Sequence, residues 1–154
     1  PEYTTVGDAI MDLVGKENHV ANHVPLNHKP IVAARYKYVK EGCKLNLDDL
    51  PPELAIATRR DSKTGKIVNY SHVYKRLDRN SPSTTMVPGH NAFPIHPTLN
   101  RTLTAREAAR IQTFPDSHIF FGTRQEQCIQ VGNAVPPKMA EPFFKKINLY
   151  LSQS

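Results

Sequence analysis

The first third of the chain contains short stretches in which apolar residues recur at helical spacing. The segment Thr5-Val6-Gly7-Asp8 has the form of a helix N-cap with an acidic residue three positions on, and it predicts a helix through Leu13 that ends at Gly15. A second helix is predicted over Pro30–Glu41, because proline suits the first helical position and the next apolar residues keep the helical period. Gly42 would supply the left-handed residue that ends this helix.

The middle of the chain has weaker patterns. From Leu45 to Lys66, paired prolines and a polar run break any period, which indicates an exposed excursion. Short extended segments follow around Val73–Leu77, Thr84–Val87 and Ala92–Ile95, separated by Ser-Pro, Pro-Gly and His-Pro turns. These segments predict a small irregular sheet.

Three helices are predicted near the carboxy terminus. Thr104–Glu107 and Thr123–Glu126 both have the capping-box form, in which a Thr hydroxyl and a Glu carboxylate each satisfy a backbone amide. The second of these helices would reach about Val131, with Gly132-Asn133 turning the chain. Pro136-Pro137 would then open a last helix with one apolar stripe, formed by Ala140, Phe143, Phe144, Ile147 and Leu151. That stripe must pack against another surface.

Length, charge and cysteine usage narrow the class of protein. A chain of 154 residues can bury one modest core without disulfides, and 13 prolines predict a loop-rich fold. A formal net charge of +6 and a pI near 9.4 favour a polyanionic partner, with nucleic acid first. Two distant cysteines and no leader-like run at the amino terminus indicate a reduced, intracellular protein. No run approaches the roughly 18 apolar residues of a membrane span, so we expect no membrane insertion.

Two segments carry the most specific motifs. Arg101-Thr-Leu-Thr-Ala-Arg-Glu-Ala-Ala-Arg-Ile-Gln-Thr-Phe-Pro-Asp116 and Gln130-Val-Gly-Asn-Ala-Val-Pro-Pro137 together resemble the ninth and tenth signature motifs of DNA (cytosine-5) methyltransferases. Looser matches upstream, in the order of that family, resemble its target-recognition region: Thr5–Leu13, Asn22-His23, Arg76-Leu77-Asp78, Ser81–Thr85 and His96-Pro97. The resemblance covers nearly the whole chain and is strongest from about Arg76 to Pro137.

This resemblance implies an α+β architecture. A small irregular target-recognition domain would be followed by a carboxy-terminal helical segment that completes the doubly wound α/β catalytic domain of the full enzyme. Residues 1–13 would end a connection from the catalytic domain, residues 14–100 would read DNA, and residues 101–154 would return to the catalytic domain. The partners implied are double-stranded DNA and the amino-terminal catalytic portion of the same enzyme.

The resemblance also implies a biological role and a cellular location. The chain would be the carboxy-terminal part of a DNA (cytosine-5) methyltransferase, either a fragment or a naturally separate subunit. It would act in DNA methylation and restriction–modification. Its location would be the cytoplasm of a bacterium, near the nucleoid.

The catalytic motifs of the family do not occur in this sequence. In the family, the Cys of a Pro-Cys-Gln loop is the nucleophile and the Glu of a Glu-Asn-Val motif assists it; neither tripeptide is present here. Cys43 lies in Glu-Gly-Cys-Lys and Cys128 in Glu-Gln-Cys-Ile, and we assign neither any chemistry. We therefore expect no catalytic residue in this chain and no methyl transfer by the chain alone.

By resemblance, Asn133 and Val135 border the pocket of the cofactor S-adenosyl-L-methionine, which would be shared with the missing catalytic portion. Asn133 precedes a predicted helix start, where an amide side chain and backbone donors can meet a ligand carboxylate; a plain turn is the alternative. The structural residues of the motifs are expected to be Arg101, Arg106, Glu107, Gln130 and Gly132. Arg101 would brace the recognition domain by buried pairing, and a merely solvated helix face is the alternative for the arginines.

DNA contacts are expected in two places. Thr85-Met86 resembles the Thr-Leu or Thr-Ile pair of the family's recognition domain, although Met departs from the usual branched residue and an ordinary strand position is the alternative. The densest basic region suits a phosphate backbone, although such charges also keep proteins soluble: Arg59, Arg60, Lys63, Lys66, Lys75, Arg76 and Arg79. We expect no metal site, because no paired Cys or carboxylate set completes a site with His19, His23 and His28.

Two other functions stay open at this point. A stand-alone DNA-binding module without catalysis fits the basic charge and small size, but leaves the Gln130–Pro137 motif unexplained. The related branch that methylates cytosine in transfer RNA shares motifs near the carboxy terminus. The DNA target itself does not follow from the sequence, because direct readout depends on a few side chains in a groove.

Overall fold

Five α-helices carry the regular structure in the computed structural model, which describes residues 3–56, 63, 74–87 and 93–153. In chain order they are α1 (Val6–Ile10), α2 (Pro30–Tyr36), α3 (Ala105–Ile111), α4 (Arg124–Asn133) and α5 (Pro137–Leu151). Short 3₁₀ helices cover Met11–Leu13, Leu47–Asp49 and Pro52–Leu54. No helix in the described part of the chain is long and apolar enough to cross a membrane.

The two predicted capping boxes, and the N-cap predicted at Thr5, are confirmed. In α1, α3 and α4 the Thr hydroxyl accepts a hydrogen bond from the third helical amide, and the acidic side chain at that position accepts one from the Thr amide. Each box satisfies two backbone groups that would otherwise lack partners at the start of a short helix. The predicted end of the first helical segment is also confirmed, since Gly15 has a left-handed φ of 80°.

The prediction for α2 was wrong in length, because the helix ends at Tyr36 and not at Glu41. The reason lies in another part of the fold. The side chain of Arg76 donates hydrogen bonds to the carbonyl oxygens of Tyr36 at 2.6 Å and of Val39 at 2.7 Å. Those two carbonyls are held by a distant guanidinium, and the chain between them forms tight turns. Gly42 does have a left-handed φ of 75°, but it lies well beyond the helix.

The turn predicted at Gly132-Asn133 was also wrong. Both residues belong to the last turn of α4, and Ala134–Pro136 connect it to α5. Two contacts stabilise this longer helix: the side chain of Val131 is fully buried, and its carbonyl oxygen accepts a hydrogen bond of 2.7 Å from the Gln112 amide. The helix ends where proline removes the next backbone donors.

The predicted sheet is reduced to isolated bridges. Lys44 pairs with Lys75, Arg76 with Ile95, and Ile95 with Thr102, and no longer strand forms in the part of the chain that the structure describes. The segments predicted at Val73–Leu77 and Ala92–Ile95 thus take part in two isolated bridges each, whereas the described Thr84–Val87 segment joins none. Val73 and Ala92 themselves lie outside the described residues.

The described residues outside α5 form an irregular unit, called the body below. Two apolar clusters stabilise it. The larger one joins α1, α3 and α4 through Val6, Ile10, Leu77, Met86, Phe93, Leu103, Ala105, Ala108, Ala109, Phe120, Cys128 and Val131. A smaller cluster of Tyr36, Val39 and Ile95 packs the end of α2 against the bridged segments. By contrast, none of the fifteen residues of α5 is buried.

Candidate functional site

An open cleft of about 870 Å³ lies on the body beside the start of α5. Residues Pro82–Met86 line it, and so do Arg110–Asp116 from the end of α3 onwards. The α4–α5 junction contributes Gly132 and Ala134. A volume in this range is typical of ligand-binding clefts. The cleft therefore brings the predicted recognition pair near the two carboxy-terminal motif segments.

Arg110 is the guanidinium that lines this cleft, and its charge is already paired. It donates two hydrogen bonds to the Asp116 carboxylate, at 2.8 and 2.6 Å, and a third to Asp12. The hydrogen bonds to Asp116 outweigh the effect of burial and raise the pKa of Arg110. A guanidinium that is already paired with carboxylates is less available to bind a phosphate than a solvated one.

Arg101 joins two regions that the sequence analysis assigned to different domains. Its guanidinium forms a bidentate contact with the Glu107 carboxylate, at 2.8 and 2.7 Å, and reaches Glu17 at 3.2 Å. Burial raises the pKa of Glu107, but the hydrogen bonds and charge of Arg101 outweigh it, so the pKa lies below its usual value. Glu107 also caps α3, so the ion pair and the helix start are one network.

Arg106 is fully buried and binds backbone oxygens. Its guanidinium donates to the carbonyls of Ala21, Pro115 and His118 and to the side chain of Asn22. The alternative of a solvated helix face is therefore wrong for Arg106. The structural role of the motif arginines remains a prediction. The buried hydrogen bonds of Arg106 are contacts that such a role requires.

Asn22 was named in the sequence only as part of the Asn22-His23 match, and its structural role was not predicted. It has a left-handed φ of 64°, and its side-chain amide pairs with both backbone groups of Phe120, at 2.7 and 2.9 Å. With Arg106 it holds the connection between α3 and α4. Asn tolerates left-handed φ well, so the Asn of the Asn22-His23 match was the available signal.

The predicted cofactor residues are exposed. Asn133 and Val135 lie at the end of α4 and in the following connection, and Val135 is 62% exposed. The side chain of Asn133 has no hydrogen-bond partner among the described residues, so its amide is available to a ligand. The neighbouring Gln130 donates to the Phe121 carbonyl at 3.0 Å. An available amide beside an exposed apolar side chain fits one edge of a cofactor pocket, but not a whole pocket.

One argument for Asn133 has to be corrected. Because α4 runs through Asn133, this residue does not present backbone donors at a helix start. At the real start of α5, the Lys138 amide donates to Thr113 and the Met139 amide to Pro136. Any contact of Asn133 with a ligand would therefore come from its side chain.

The predicted DNA-binding residues are scattered. Arg59, Arg60 and Lys66 lie outside the described residues. Lys63 and Thr85 are exposed, and Lys75 is half-buried within a backbone bridge. Arg79 is exposed but forms two hydrogen bonds of 2.8 Å with Glu41, which hold the pKa of that carboxyl down at about 2.

The inclusion of Arg76 in the basic region was wrong. Its side chain is buried, at 4% exposure, and donates to carbonyl oxygens of the α2 end, of His96 and of Leu99, and to the Asn100 side chain. Such a guanidinium does not face solvent. It joins segments that lack the hydrogen bonds of a regular sheet.

The cysteines and histidines have structural surroundings. Cys128 is fully buried, and desolvation raises the pKa of its thiol, which disfavours the thiolate; Cys43 is exposed. His23 is buried between the Thr104 hydroxyl at 2.9 Å and the Leu13 carbonyl at 3.0 Å. His96 is buried as well, and its Nδ1 accepts from the amides of Thr98 and Leu99. Among the described residues no group of three or more His, Cys, Asp or Glu could hold a metal ion.

The surface of α5 is an extended exposed apolar feature of the described residues. Helical spacing places the predicted apolar stripe, flanked by Met139 and Tyr150, on one side of the helix. The exposed members include Phe143 at 66%, Phe144 at 65% and Ile147 at 51%. Leu149 is equally exposed but lies off the stripe. Contiguous apolar surface of this kind marks an interaction site.

The motifs, the irregular body and the uncovered helix define a class of protein. The chain belongs to the C-5 cytosine-specific DNA methylase family, whose model matches residues 1–149. This match confirms the family that the sequence motifs indicated.

Two relatives are similar to this chain over most of its length. The chain is 35% identical to the Type II methyltransferase M1.HphI of Haemophilus parahaemolyticus, over 91% of this chain and 35% of that protein. It is 36% identical to the Type II methyltransferase M.AquIB of a Picosynechococcus strain, over 86% of this chain and 91% of that protein. The chain thus spans about a third of M1.HphI but nearly all of M.AquIB.

A solved structure has a similar fold over part of its chain. It is a crystal structure described as a DNA modification methyltransferase encoded within a prophage, from E. coli. The TM-score is 0.58 with 28% identity, and the match covers 86% of this chain and 30% of that one. The described body therefore resembles a part of a larger methyltransferase chain.

Proposed function

We propose that this chain is the target-recognition and carboxy-terminal part of a DNA (cytosine-5) methyltransferase. It reads duplex DNA and closes one edge of the S-adenosyl-L-methionine pocket, while an amino-terminal portion supplies the catalytic residues and most of the cofactor site. The relatives are Type II methyltransferases, which supports a role in DNA methylation within restriction–modification.

The observation that carries this proposal is the uncovered apolar stripe of α5, directly after the tenth-motif segment. A helix with one apolar side normally buries it against another element. None of α5 is buried here, so the described body does not provide that cover. The coverage of only 35% of M1.HphI is in keeping with a catalytic portion that does so.

The proposed contribution to the cofactor site is small but specific. When bound, S-adenosyl-L-methionine supplies the methyl group. Asn133 would donate from its side-chain amide to a polar group of the cofactor, and Val135 would give an apolar contact at the same edge. Both residues follow the buried Val131, whose packing fixes the end of α4.

The chain does not supply the chemistry at the base. Methylation of cytosine C5 needs a thiolate that adds at C6 of a base taken out of the stack. Burial disfavours the thiolate of Cys128, and Cys43 does not lie in the catalytic tripeptide. We therefore propose that the chain alone transfers no methyl group.

The proposed DNA surface combines an exposed hydroxyl with a set of cationic side chains. Thr85 lines the cleft and is exposed, so its hydroxyl can reach a DNA group. Lys63 is exposed, and with the proposed Arg59, Arg60, Lys66, Lys75 and Arg79 it would contact phosphates without regard to sequence. Binding should accordingly weaken steeply as salt increases.

Reconstitution tests the proposal directly. The chain is assayed alone and together with the amino-terminal catalytic portion of the same enzyme, for transfer of labelled methyl from S-adenosyl-L-methionine to cytosine C5 of duplex DNA. We expect labelling only with both portions, and a change of DNA preference when this chain is exchanged for the corresponding part of a relative. Labelling by this chain alone, or of transfer RNA in preference to DNA, would contradict the proposal.

The cofactor role has its own variant. In the reconstituted enzyme, Asn133→Ala should weaken S-adenosyl-L-methionine binding more than DNA binding, because it removes a polar contact at the pocket edge. Asn148→Ala, at an exposed side-chain amide on α5, is the matched control and should change neither. Calorimetric titration with unchanged cofactor affinity for Asn133→Ala would reject the role.

A further inference from the structure

Thr113 has a backbone conformation that its side chain disfavours. Three residues other than glycine have positive φ among those that the structure describes: Asn18, Asn22 and Thr113, the last at 66°. Asn adopts this region readily, whereas a β-branched residue is a genuine outlier there. Thr113 follows the C-cap of α3, Gln112, at the position where glycine is most common. Glycine would make the same turn without strain.

The Thr113 hydroxyl makes a contact that glycine could not make. It accepts a hydrogen bond of 3.1 Å from the backbone amide of Lys138, in the first turn of α5. Pro137 has no N–H, so Lys138 carries the first amide of that helix. The N-cap residue of α5 is Pro136, which provides no side-chain cap. The end of α3 therefore caps the start of α5.

This contact is placed where it can set the direction of α5. The helix follows a connection of only three residues, Ala134–Pro136, and none of its residues is buried. Packing against the body therefore does little to orient it. A hydrogen bond at its base joins it to α3, which is anchored in the core through Ala105, Ala108 and Ala109.

We propose that Thr113 is a positioning residue that fixes the orientation of α5 relative to α3. The strained backbone is retained because the hydroxyl, and not only the turn, is needed. The consequence for assembly rests on the proposed function: a helix held in one direction presents its apolar stripe to the catalytic portion at a lower entropic cost than a freely moving helix.

Three substitutions separate the hydroxyl from the backbone strain. Thr113→Ser keeps the hydroxyl, Thr113→Val removes it while keeping the shape, and Thr113→Gly removes both the hydroxyl and the strain. Spin labels on the exposed Cys43 and on an Asn148→Cys variant of the full chain report the distance between the body and α5. Cys128 is buried and should not react. Labelled chain is diluted with unlabelled chain to suppress distances between molecules.

We expect a narrow distance distribution for the unsubstituted chain and for Thr113→Ser, and a broad one for Thr113→Val and Thr113→Gly. Hydrogen exchange at the Lys138 amide should be about fivefold faster in the last two, the factor typical of a lost helix cap. If the Thr113→Val variant does not fold, the Thr113→Gly variant tests the proposal alone. Glycine relieves the backbone strain, so this variant should fold at least as well. A narrow distribution and unchanged exchange in Thr113→Gly, or a broad distribution in the unsubstituted chain, would overturn the proposal.

Assembly provides a second measurement. With the amino-terminal catalytic portion, Thr113→Gly should bind about fivefold more weakly, and Thr113→Ser should bind as the unsubstituted chain does. If the unsubstituted chain does not bind that portion at all, the proposed function fails, while the distance measurement still decides the role of Thr113.

Discussion

The body and α5 invert the usual distribution of charged and apolar residues. In the body, Arg76 and Arg106 are buried, and each donates several hydrogen bonds to backbone carbonyls. On α5, large apolar side chains such as Phe143 and Phe144 are about two-thirds exposed. Charged residues are rarely fully buried unless paired, and large apolar patches are rarely left in water.

The two departures have different causes. The body has isolated bridges in place of strands, so many loop carbonyls need donors from elsewhere, and the planar forks of the arginines supply them. The helix has no such internal reason for its exposed side chains. The body is therefore stabilised from within, whereas α5, under the proposed function, presents its apolar stripe to a surface outside the body.

The largest expected effect tests the internal half of this comparison. Arg106→Met keeps most of the side-chain volume but leaves four oxygens that the guanidinium binds without that donor. We expect a loss of about 3–5 kcal/mol in the free energy of unfolding, because buried polar groups are left unpaired. Urea denaturation measures it.

Arg79→Met is the matched control, since it makes the same change at an exposed arginine with one partner, Glu41. Exposed ion pairs contribute little, so we expect a much smaller change in the free energy of unfolding. Equal losses for the two variants would remove the distinction between internal and external arginines.

The second effect is a pH dependence that originates inside the body. His96 is fully buried, and desolvation lowers its pKa from 6.5 to about 4. Between these values the unfolded chain binds a proton that the folded chain excludes, so stability should be full above pH 6.5 and fall as the pH drops toward 4. At 1.36 kcal/mol per pKa unit the loss is about 3 kcal/mol.

His96→Asn tests this assignment, because a carboxamide oxygen can still accept from the amides of Thr98 and Leu99 but does not titrate. The variant should have a flatter profile of unfolding free energy between pH 7 and pH 4.5. The lowered pKa of the half-buried His28 leaves a smaller slope of the same sign. His19→Asn makes the same substitution at an exposed histidine and is the matched control.

The sequence predicted local features better than those that depend on distant contacts. The capping boxes at Thr5, Thr104 and Thr123 were predictable because both partners lie within four residues. The true end of α2 was not, because it depends on Arg76, forty residues away from Tyr36.

For the candidate site, too, the sequence predicted some features and not others. The motifs indicated the family and the stripe of α5, but nothing in the sequence marked Thr113, since threonine is not a usual residue for left-handed φ. The cleft joins segments near residues 5, 84, 112 and 134, so its existence depends on the folded arrangement.

The third effect tests the external half of the comparison. Phe143→Ala should leave the unfolding of the chain nearly unchanged, because the side chain is 66% exposed. Binding of the amino-terminal catalytic portion should weaken about thirtyfold, a loss of about 2 kcal/mol, if Phe143 is an anchor of that interface. Self-association of the isolated chain, measured by sedimentation, should decrease in parallel.

Leu149→Ala removes a similarly exposed apolar side chain from the other side of α5 and should affect assembly much less. If both substitutions weaken assembly equally, the partner surrounds the helix and the stripe has no special role. If Phe143→Ala lowers the melting temperature of the isolated chain instead, the stripe is covered by the body.

The smallest effect concerns the exposed charges of the body. The Glu41 carboxylate neutralises Arg79, so Glu41→Gln should release this guanidinium for a phosphate contact and increase non-specific affinity for duplex DNA about two- to fivefold at low salt. The gain should shrink as salt rises, because exposed charges are screened. Glu53→Gln makes the same change in net charge at an exposed glutamate that forms no ion pair with the described residues, so it separates a released arginine from a general change in charge. Equal gains for both variants in fluorescence anisotropy titrations would show that Arg79 makes no particular DNA contact, whereas a gain limited to Glu41→Gln would place Arg79 on the DNA-facing surface of the body.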